Sequence, residues 1–191
     1  MRRILYLILT IMCLLVSPTA IFAQIFNPGN GHYYELVSTG GINWYDARDA
    51  APAMTYNGMQ GHLAVVTSSE ENSWIASTFS VIGNDGERAW IGGTDEANEG
   101  TWLWITKETW GFTNWDIANG EPNGDTDENC LQYKNGDTWN DEACDGDTVL
   151  YYLVEFEPST AVPTMSEWGM IIFMMFAGLG SVYYLRRRIR T

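Results

Sequence analysis

The chain is poor in basic residues, histidine and cysteine, and each shortage narrows what it can do. Ten lysines and arginines stand against 24 aspartates and glutamates, a formal charge of −14 over 191 residues. Six of the ten are terminal (Arg2, Arg3, Arg186, Arg187, Arg188, Arg190). Residues 24–157 are left with Arg48, Arg88, Lys107 and Lys134 against 23 acids, a balance of −19. That sign argues against nucleic acid as a partner, because phosphate recognition needs a basic surface. Solubility would explain diffuse charge; clustered charge fits a cation binder. The two histidines, His32 and His62, are read as packing or surface residues, and no Ser/His/Asp or Cys/His arrangement for nucleophilic catalysis is evident. Of three cysteines, Cys13 falls in an N-terminal apolar run, leaving Cys130 and Cys144. Two cysteines without histidines at useful spacing argue against zinc. An even count in an exported domain points to a disulfide. Its loop of ~15 residues contributes ~3 kcal/mol in the chain-entropy picture.

Long apolar runs occur only at the two ends. Met1-Arg2-Arg3 precedes an apolar stretch over 4–16, then Ser17-Pro18 and the small-residue exit Ile21-Phe22-Ala23. This is the pattern of a secretory signal peptide, with cleavage expected after Ala23; it is too short for a bilayer, which takes ~20 residues. Residues 168–185 form the second run, followed by the basic tail 186–191. Eighteen helical residues reach ~27 Å, enough for a thin bilayer, and the arginines are expected to stay cytoplasmic.

Between the ends the pattern predicts an α+β domain over 24–157, with two helices near its start and antiparallel strands carrying a long loop. His32-Tyr33-Tyr34-Glu35-Leu36-Val37 reads as the first strand. Asn43 caps a helix with an apolar stripe at Ala47, Ala50, Ala51 and Met54, which Pro52 ends or kinks. Tyr56-Asn57-Gly58 is turn-like and leads to a short extended segment over 61–66. Ser68-Ser69-Glu70-Glu71 is a capping box, followed by Trp74, Ile75, Thr78 and Phe79 on one face. After the Asn84-Asp85-Gly86 turn, strands are expected at 90–93 and 102–105, and closing strands at 130–133 and 149–156. Residues 106–129 show little periodicity, and a loop of that length is usually functional. Residues 158–167 form a linker.

The chemistry concentrates in residues 121–141. Calcium takes about six to eight oxygen ligands, and this stretch offers Glu121, Asn123, Asp125, Asp127, Glu128 and Asn129, then Asn140 and Asp141 just before Cys144. A Cys130–Cys144 bridge would bring the two oxygen sets together. Pro122 permits a cis bond that would turn its neighbours' side chains to one side; an ordinary trans turn is the alternative. An EF-hand fits poorly, because its spacing and flanking helices are missing. Glu121 and Glu128 could in principle form an acid/base pair, but they are better explained as metal ligands, so the chain is not read as an enzyme.

Glu121-Pro122-Asn123, Glu128, Cys130, Trp139-Asn140-Asp141 and Cys144, together with Gly61-His62-Leu63-Ala64 and Trp90-Ile91-Gly92-Gly93-Thr94-Asp95, resemble the calcium-dependent C-type lectin domain over about 31–157. The resemblance implies that fold, and a principal calcium held by Glu121, Asn123, Glu128, Asn140 and Asp141. The same five residues would bind two adjacent sugar hydroxyls, and a Glu-Pro-Asn order resembles members preferring mannose- or fucose-like diols. Asp95, Glu99 and Glu128 match ligands of an auxiliary calcium. Gly124 and Asn129 stand where that site often has carboxylates, with Asp125 as a substitute. Trp139 is expected to pack beneath the loop. The family's frequent second disulfide is missing, Val154 taking its strand position, so apolar packing is expected instead. The segment from Asn123 to Glu128 is about one residue shorter than in familiar animal members. The fold also serves proteins that bind protein or ice, so a calcium-stabilised adhesion or scaffold module is the alternative to a lectin.

Val162-Pro163-Thr164-Met165-Ser166-Glu167-Trp168-Gly169, an apolar span and an arginine cluster resemble a bacterial sorting signal of the Ile-Pro-Thr-Leu type. The resemblance implies export, an inner-membrane intermediate, a sorting protease as partner, and display at the cell surface or in extracellular matrix, where a glycan or polysaccharide would be the ligand. A permanent membrane anchor is the alternative.

Overall fold

Strand β9, Val149–Phe156, is an almost unbroken apolar run, and such runs suit strands covered on both faces. The computed structural model, which describes residues 23–82, 87–158, 169–179 and 186, places it at the centre of the sheet. Among the described residues the other strands are β1 (Ile25–Phe26), β2 (Tyr33–Ile42), β3 (Thr55–Tyr56), β4 (Met59–Leu63), β5 (Ala89–Thr94), β6 (Leu103–Trp104), β7 (Cys130–Tyr133) and β8 (Trp139–Glu142). The sheet runs β1-β2-β9-β5-β7-β8, with the β3–β4 hairpin joining β9 through β4, and β6 joining β5. β2 and β9 are antiparallel, Tyr33 opposite Phe156 and Leu36 opposite Leu153, so the domain's first long strand is closed by its last. β5 and β9 are parallel. The expected α+β organisation is present.

Both helices start where their caps predict. In α1 (Trp44–Ala50) the Asn43 side chain accepts from Asp46 N at 2.8 Å, and the chain passes into a 3-10 turn, Ala51–Ala53, at Pro52. In α2 (Ser69–Thr78) Ser68 Oγ accepts from Glu71 N at 3.2 Å. The capping box is altered, however. The Glu71 carboxylate takes Thr67 N at 2.8 Å and Tyr34 Oη at 2.5 Å, tying the helix start to β2.

Ile75 and Phe79 carry α2 into a core cluster with Tyr34, Leu36, Ile91, Leu131, Trp139 and Leu153. A second cluster joins Trp44, Ala47, Ala51, Leu63, Trp90, Val154 and Phe156 with the cysteine pair. Val154 thus packs apolar where a second bridge is missing. A Cβ on Gly61 would lie 2.7 Å from Val154 Cγ1, so β4 approaches β9 as only glycine allows.

One element differs in kind from the expectation. Residues 139–142, where no strand is expected from the sequence, form strand β8, paired antiparallel with β7, Cys130 opposite Glu142 and Gln132 opposite Asn140. Asn and Asp are poor strand formers, but burial of Trp139 and the neighbouring bridge override propensity here. The long loop 106–129 contains short 3-10 turns at Ile117–Asn119 and Asp125–Asp127.

Residues 158–191 separate as a second compact unit. Within it 169–179 are helical and exposed; among the described residues no helix is long and apolar enough to cross a membrane. The signal segment up to Phe22, the Asn84-Asp85-Gly86 turn, the sorting motif up to Trp168, the rest of the expected span and most of the arginine cluster lie outside the described residues.

Candidate functional site

Strands β7 and β8 and the bridge beside them bring Glu121 and the backbone of Asn123 next to Asn140 and Asp141. Cys130 and Cys144 are joined, their Cα atoms 5.1 Å apart, and Trp44 N donates to Cys144 O at 2.9 Å, fixing this corner to α1. Asn140 and Asp141 come from β8, and Glu121 from the loop laid beside it. Trp139 lies beneath, fully buried among Trp104, Trp110, Phe112, Trp115 and Tyr133.

Glu121, Asn140 and Asp141 are each at most 4% exposed. The peptide before Pro122 is cis. Asp141 receives Asn123 N on both carboxylate oxygens, at 3.1 and 3.0 Å, and Gly124 N at 3.0 Å. It therefore holds the backbone of the loop. Glu121 Oε1 accepts from Lys134 Nζ at 3.1 Å, and the same ammonium donates to Asn140 Oδ1 at 2.6 Å. Glu121 Oε2 is buried without a hydrogen-bond partner. Burial raises the Glu121 proton affinity above the usual carboxylate range, against the opposing pull of Lys134.

Glu128 is half-buried. Its pKa is raised by burial first and then by the charges of Glu142, Asp141 and Glu121. Gly124 lies directly under it: a Cβ there would overlap the Glu128 side chain, although the backbone, at φ −88° and ψ 0°, suits any residue. A carboxylate at position 124 is therefore sterically excluded with Glu128 in this place.

The expected auxiliary residues Asp95 and Glu99 lie within the field of Asp141. Asp95 is buried, with Oδ2 accepting from Gly100 N at 2.9 Å and Oδ1 unpartnered. Glu99 and Asp125 are exposed. The pKa of Glu99 is raised by desolvation and then by Asp95, Asp125 and Asp141, so these carboxylates share one negative field.

Among the described residues no three His, Cys, Asp or Glu side chains are gathered tightly enough to hold a metal ion. Asn123 and Asn140 would add amide oxygens to the carboxylates of Glu121, Glu128 and Asp141, and the charge of Asp141 raises the proton affinity of the other two carboxylates. The donor chemistry nonetheless fits a hard cation: the donors are oxygens, and one of them, Glu121 Oε2, is buried and unsatisfied, a costly state in a protein interior.

Sequence reasoning missed three supporting residues. Asp116 accepts from Asn119 Nδ2 at 2.7 Å and from Asn135 Nδ2, and its backbone oxygen receives Glu121 N at 3.2 Å. These contacts set the approach of the loop to Glu121. Asn72, buried on α2, takes Tyr133 Oη and Trp139 Nε1 on its one oxygen, at 2.8 and 2.9 Å, and donates to Asp137 O. Lys134 is the third. An Asn in a short helix and a Lys at a turn carry no local signal for such roles.

Residues 42–153 match the Lectin C-type domain. Halomucin of Haloquadratum walsbyi is 39% identical over 119 residues, covering 58% of this chain and 1% of halomucin. A perlucin-like protein of Mytilus galloprovincialis is 32% identical over 117 residues, covering 60% of this chain and 70% of that protein. The carbohydrate-recognition domain of cow CD23, solved in the presence of a GlcNAc2Man3 oligosaccharide, aligns with a TM-score of 0.57 at 25% identity, over 73% of this chain and 96% of that one. A calcium-dependent type II antifreeze protein shares the fold at a TM-score of 0.55 and 20% identity, over 69% and 95% of the two chains. With the sheet order, the bridge and the oxygen-lined corner in place, the chain belongs to the C-type lectin domain family.

Proposed function

We propose that the chain is an exported calcium-dependent carbohydrate-binding module, with mannose- or fucose-like vicinal diols as its ligand class. Glu121, Asn123, Glu128, Asn140 and Asp141 would hold the ion. Bound calcium would offer open positions to two adjacent sugar hydroxyls. The carboxylates of this set would accept hydrogen bonds from those hydroxyls, and the Asn123 and Asn140 amides would donate to them. The observation that carries the reading is the buried pair Glu121 and Asn140, whose side-chain oxygens converge on one cationic centre while Glu121 Oε2 has no partner. Family membership supports carbohydrate as the ligand. An auxiliary ion would draw on Asp95, Glu99 and Asp125. Export through the N-terminal signal, sorting through the 162–169 motif and display outside the cell belong to the same reading.

The test is a glycan array probed with the purified chain, with and without chelator. Calcium-dependent binding to mannose- or fucose-type glycans is expected. Glu121→Gln combined with Asn123→Asp should move preference toward galactose. Absence of calcium-dependent signal for any vicinal-diol sugar, with calcium still raising the melting temperature, would replace the lectin reading by a calcium-stabilised scaffold that contacts protein.

A further inference from the structure

The cation that Glu121 and Asn140 share is supplied by the chain itself. Lys134 follows β7, and its backbone N donates to Thr138 O at 3.0 Å, so its Cα is fixed at the turn into β8. From there the side chain, 27% exposed, reaches back to Glu121 Oε1 and Asn140 Oδ1. It is the sole basic residue the structure brings to this corner among the described salt bridges; Arg88 is engaged with Glu142 and Arg48 with Asp49.

We propose that Lys134 is a built-in competitor for the cation site: its ammonium occupies the Glu121 and Asn140 oxygens in the ion-free protein and must leave them when a divalent cation binds. This rests on the calcium reading above and goes beyond it, because it assigns the site's affinity to a residue that is not a ligand. Both cations would draw on Asn140 Oδ1 and on the one Glu121 carboxylate, of which Lys134 holds Oε1 while Oε2 has no partner. One ammonium and one calcium ion cannot both sit against them, since their charges repel at such separations. The lysine also answers a structural need. Glu121 is buried, and a buried carboxylate without a counter-charge is strongly unfavourable; Lys134 keeps the site assembled when the ion is absent. Two effects then weaken calcium binding together, loss of a charge-assisted contact and approach of two positive charges. Breaking one charged hydrogen bond of ordinary strength corresponds to roughly a tenfold change in affinity.

Two measurements test it. The chain has only two lysines, and Lys107 is exposed, so it serves as an internal reference. Trace acetylation with acetic anhydride, read by mass spectrometry, should show Lys134 protected relative to Lys107 in chelator. The Lys134 to Lys107 ratio should rise severalfold along the calcium-binding curve obtained by calorimetry. In parallel, Lys134→Met should bind calcium about tenfold more tightly than the wild type and melt at a lower temperature in chelator, whereas Lys107→Met changes neither. Calcium binding with an unchanged acetylation ratio overturns the competitor role and leaves the site reading standing. Absence of calorimetric calcium binding in both wild type and Lys134→Met overturns both. The wild-type acetylation arm decides the matter by itself if Lys134→Met does not fold.

Discussion

Asp141 carries a load that does not depend on any bound ion, and that load can be measured. Its carboxylate receives the backbone N–H groups of Asn123 and Gly124 at 3.0–3.1 Å. It is 2% exposed, so water cannot readily replace it. Hydrogen bonds to a charged group contribute ~1.5–3 kcal/mol each. Two N–H groups losing such an acceptor in a partly solvated loop give a cost of ~2–4 kcal/mol for Asp141→Ala, discounted for water reaching the exposed side. The predicted asparagine intermediate, Asp141→Asn, keeps one acceptor oxygen and should lose about half of that. With a urea slope of ~1–3 kcal/mol/M, the midpoint for Asp141→Ala should fall by ~1–2 M. The assay is urea unfolding followed by tryptophan fluorescence in excess chelator, with the buried Trp139 as an internal probe. The expected order of midpoints is wild type, then Asn, then Ala. An Asp141→Ala midpoint equal to the wild type in chelator would refute the reasoning: the carboxylate would then matter to the protein only as a ligand.

Two further outcomes follow from residues away from the Glu121–Asp141 corner. Asn72→Ala strands the buried Tyr133 hydroxyl and Trp139 indole N–H, at ~1–3 kcal/mol each, so a loss of ~3 kcal/mol is expected in urea; a change under ~0.5 kcal/mol would mean that these donors find other partners. His32 is held above its ordinary pKa mainly by its hydrogen bond to Glu155, at 2.6 Å, and Glu71, close by, is raised by burial. A histidine raised in the folded state contributes stability that is present in full below its unfolded pKa, ~6.5, and is lost as pH rises through the folded value. A raised carboxyl likewise favours the folded state less as pH rises from its unfolded pKa through the folded one. The ion-free melting temperature should therefore decline from pH 6 to pH 8, and His32→Gln should flatten that decline; an identical slope in the variant would remove His32 from the account.

Much of this architecture is legible in the sequence, for local reasons. Asn43 with Asp46, and Ser68 with Glu71, mark helix starts because a side-chain oxygen three residues before a free N–H is a short-range arrangement. β9 is legible because a strand covered on both faces must be apolar throughout. The helix end at Pro52 follows from the missing N–H. β8 is not legible, because its middle is Asn140-Asp141 and it is a strand only through its pairing with β7. Glu71 is half legible: its spacing from Ser68 predicts a cap, but its carboxylate is taken by Tyr34, 37 residues earlier in the chain. The long-range polar contacts of Asn72 and Asp116 are invisible for the same reason, since sequence spacing says nothing about partners 19 to 67 residues away.

The expected ligand set shows the same division one level down. Order along the chain singles out Glu121, Asn123, Glu128, Asn140 and Asp141 as expected ligands, yet which of their atoms would face a cation depends on neighbours that the motif does not contain. Gly124 is such a neighbour. Its φ and ψ are ordinary, so the need for glycine is purely one of space, and that space is filled by Glu128. A carboxylate at position 124 in this loop would push Glu128 away from the field of Glu121 and Asp141. With no acid at position 124, Glu128 keeps its place in the field of Glu121 and Asp141, and of the auxiliary residues expected from the sequence it is Asp95 that carries a buried oxygen without a partner, Oδ1.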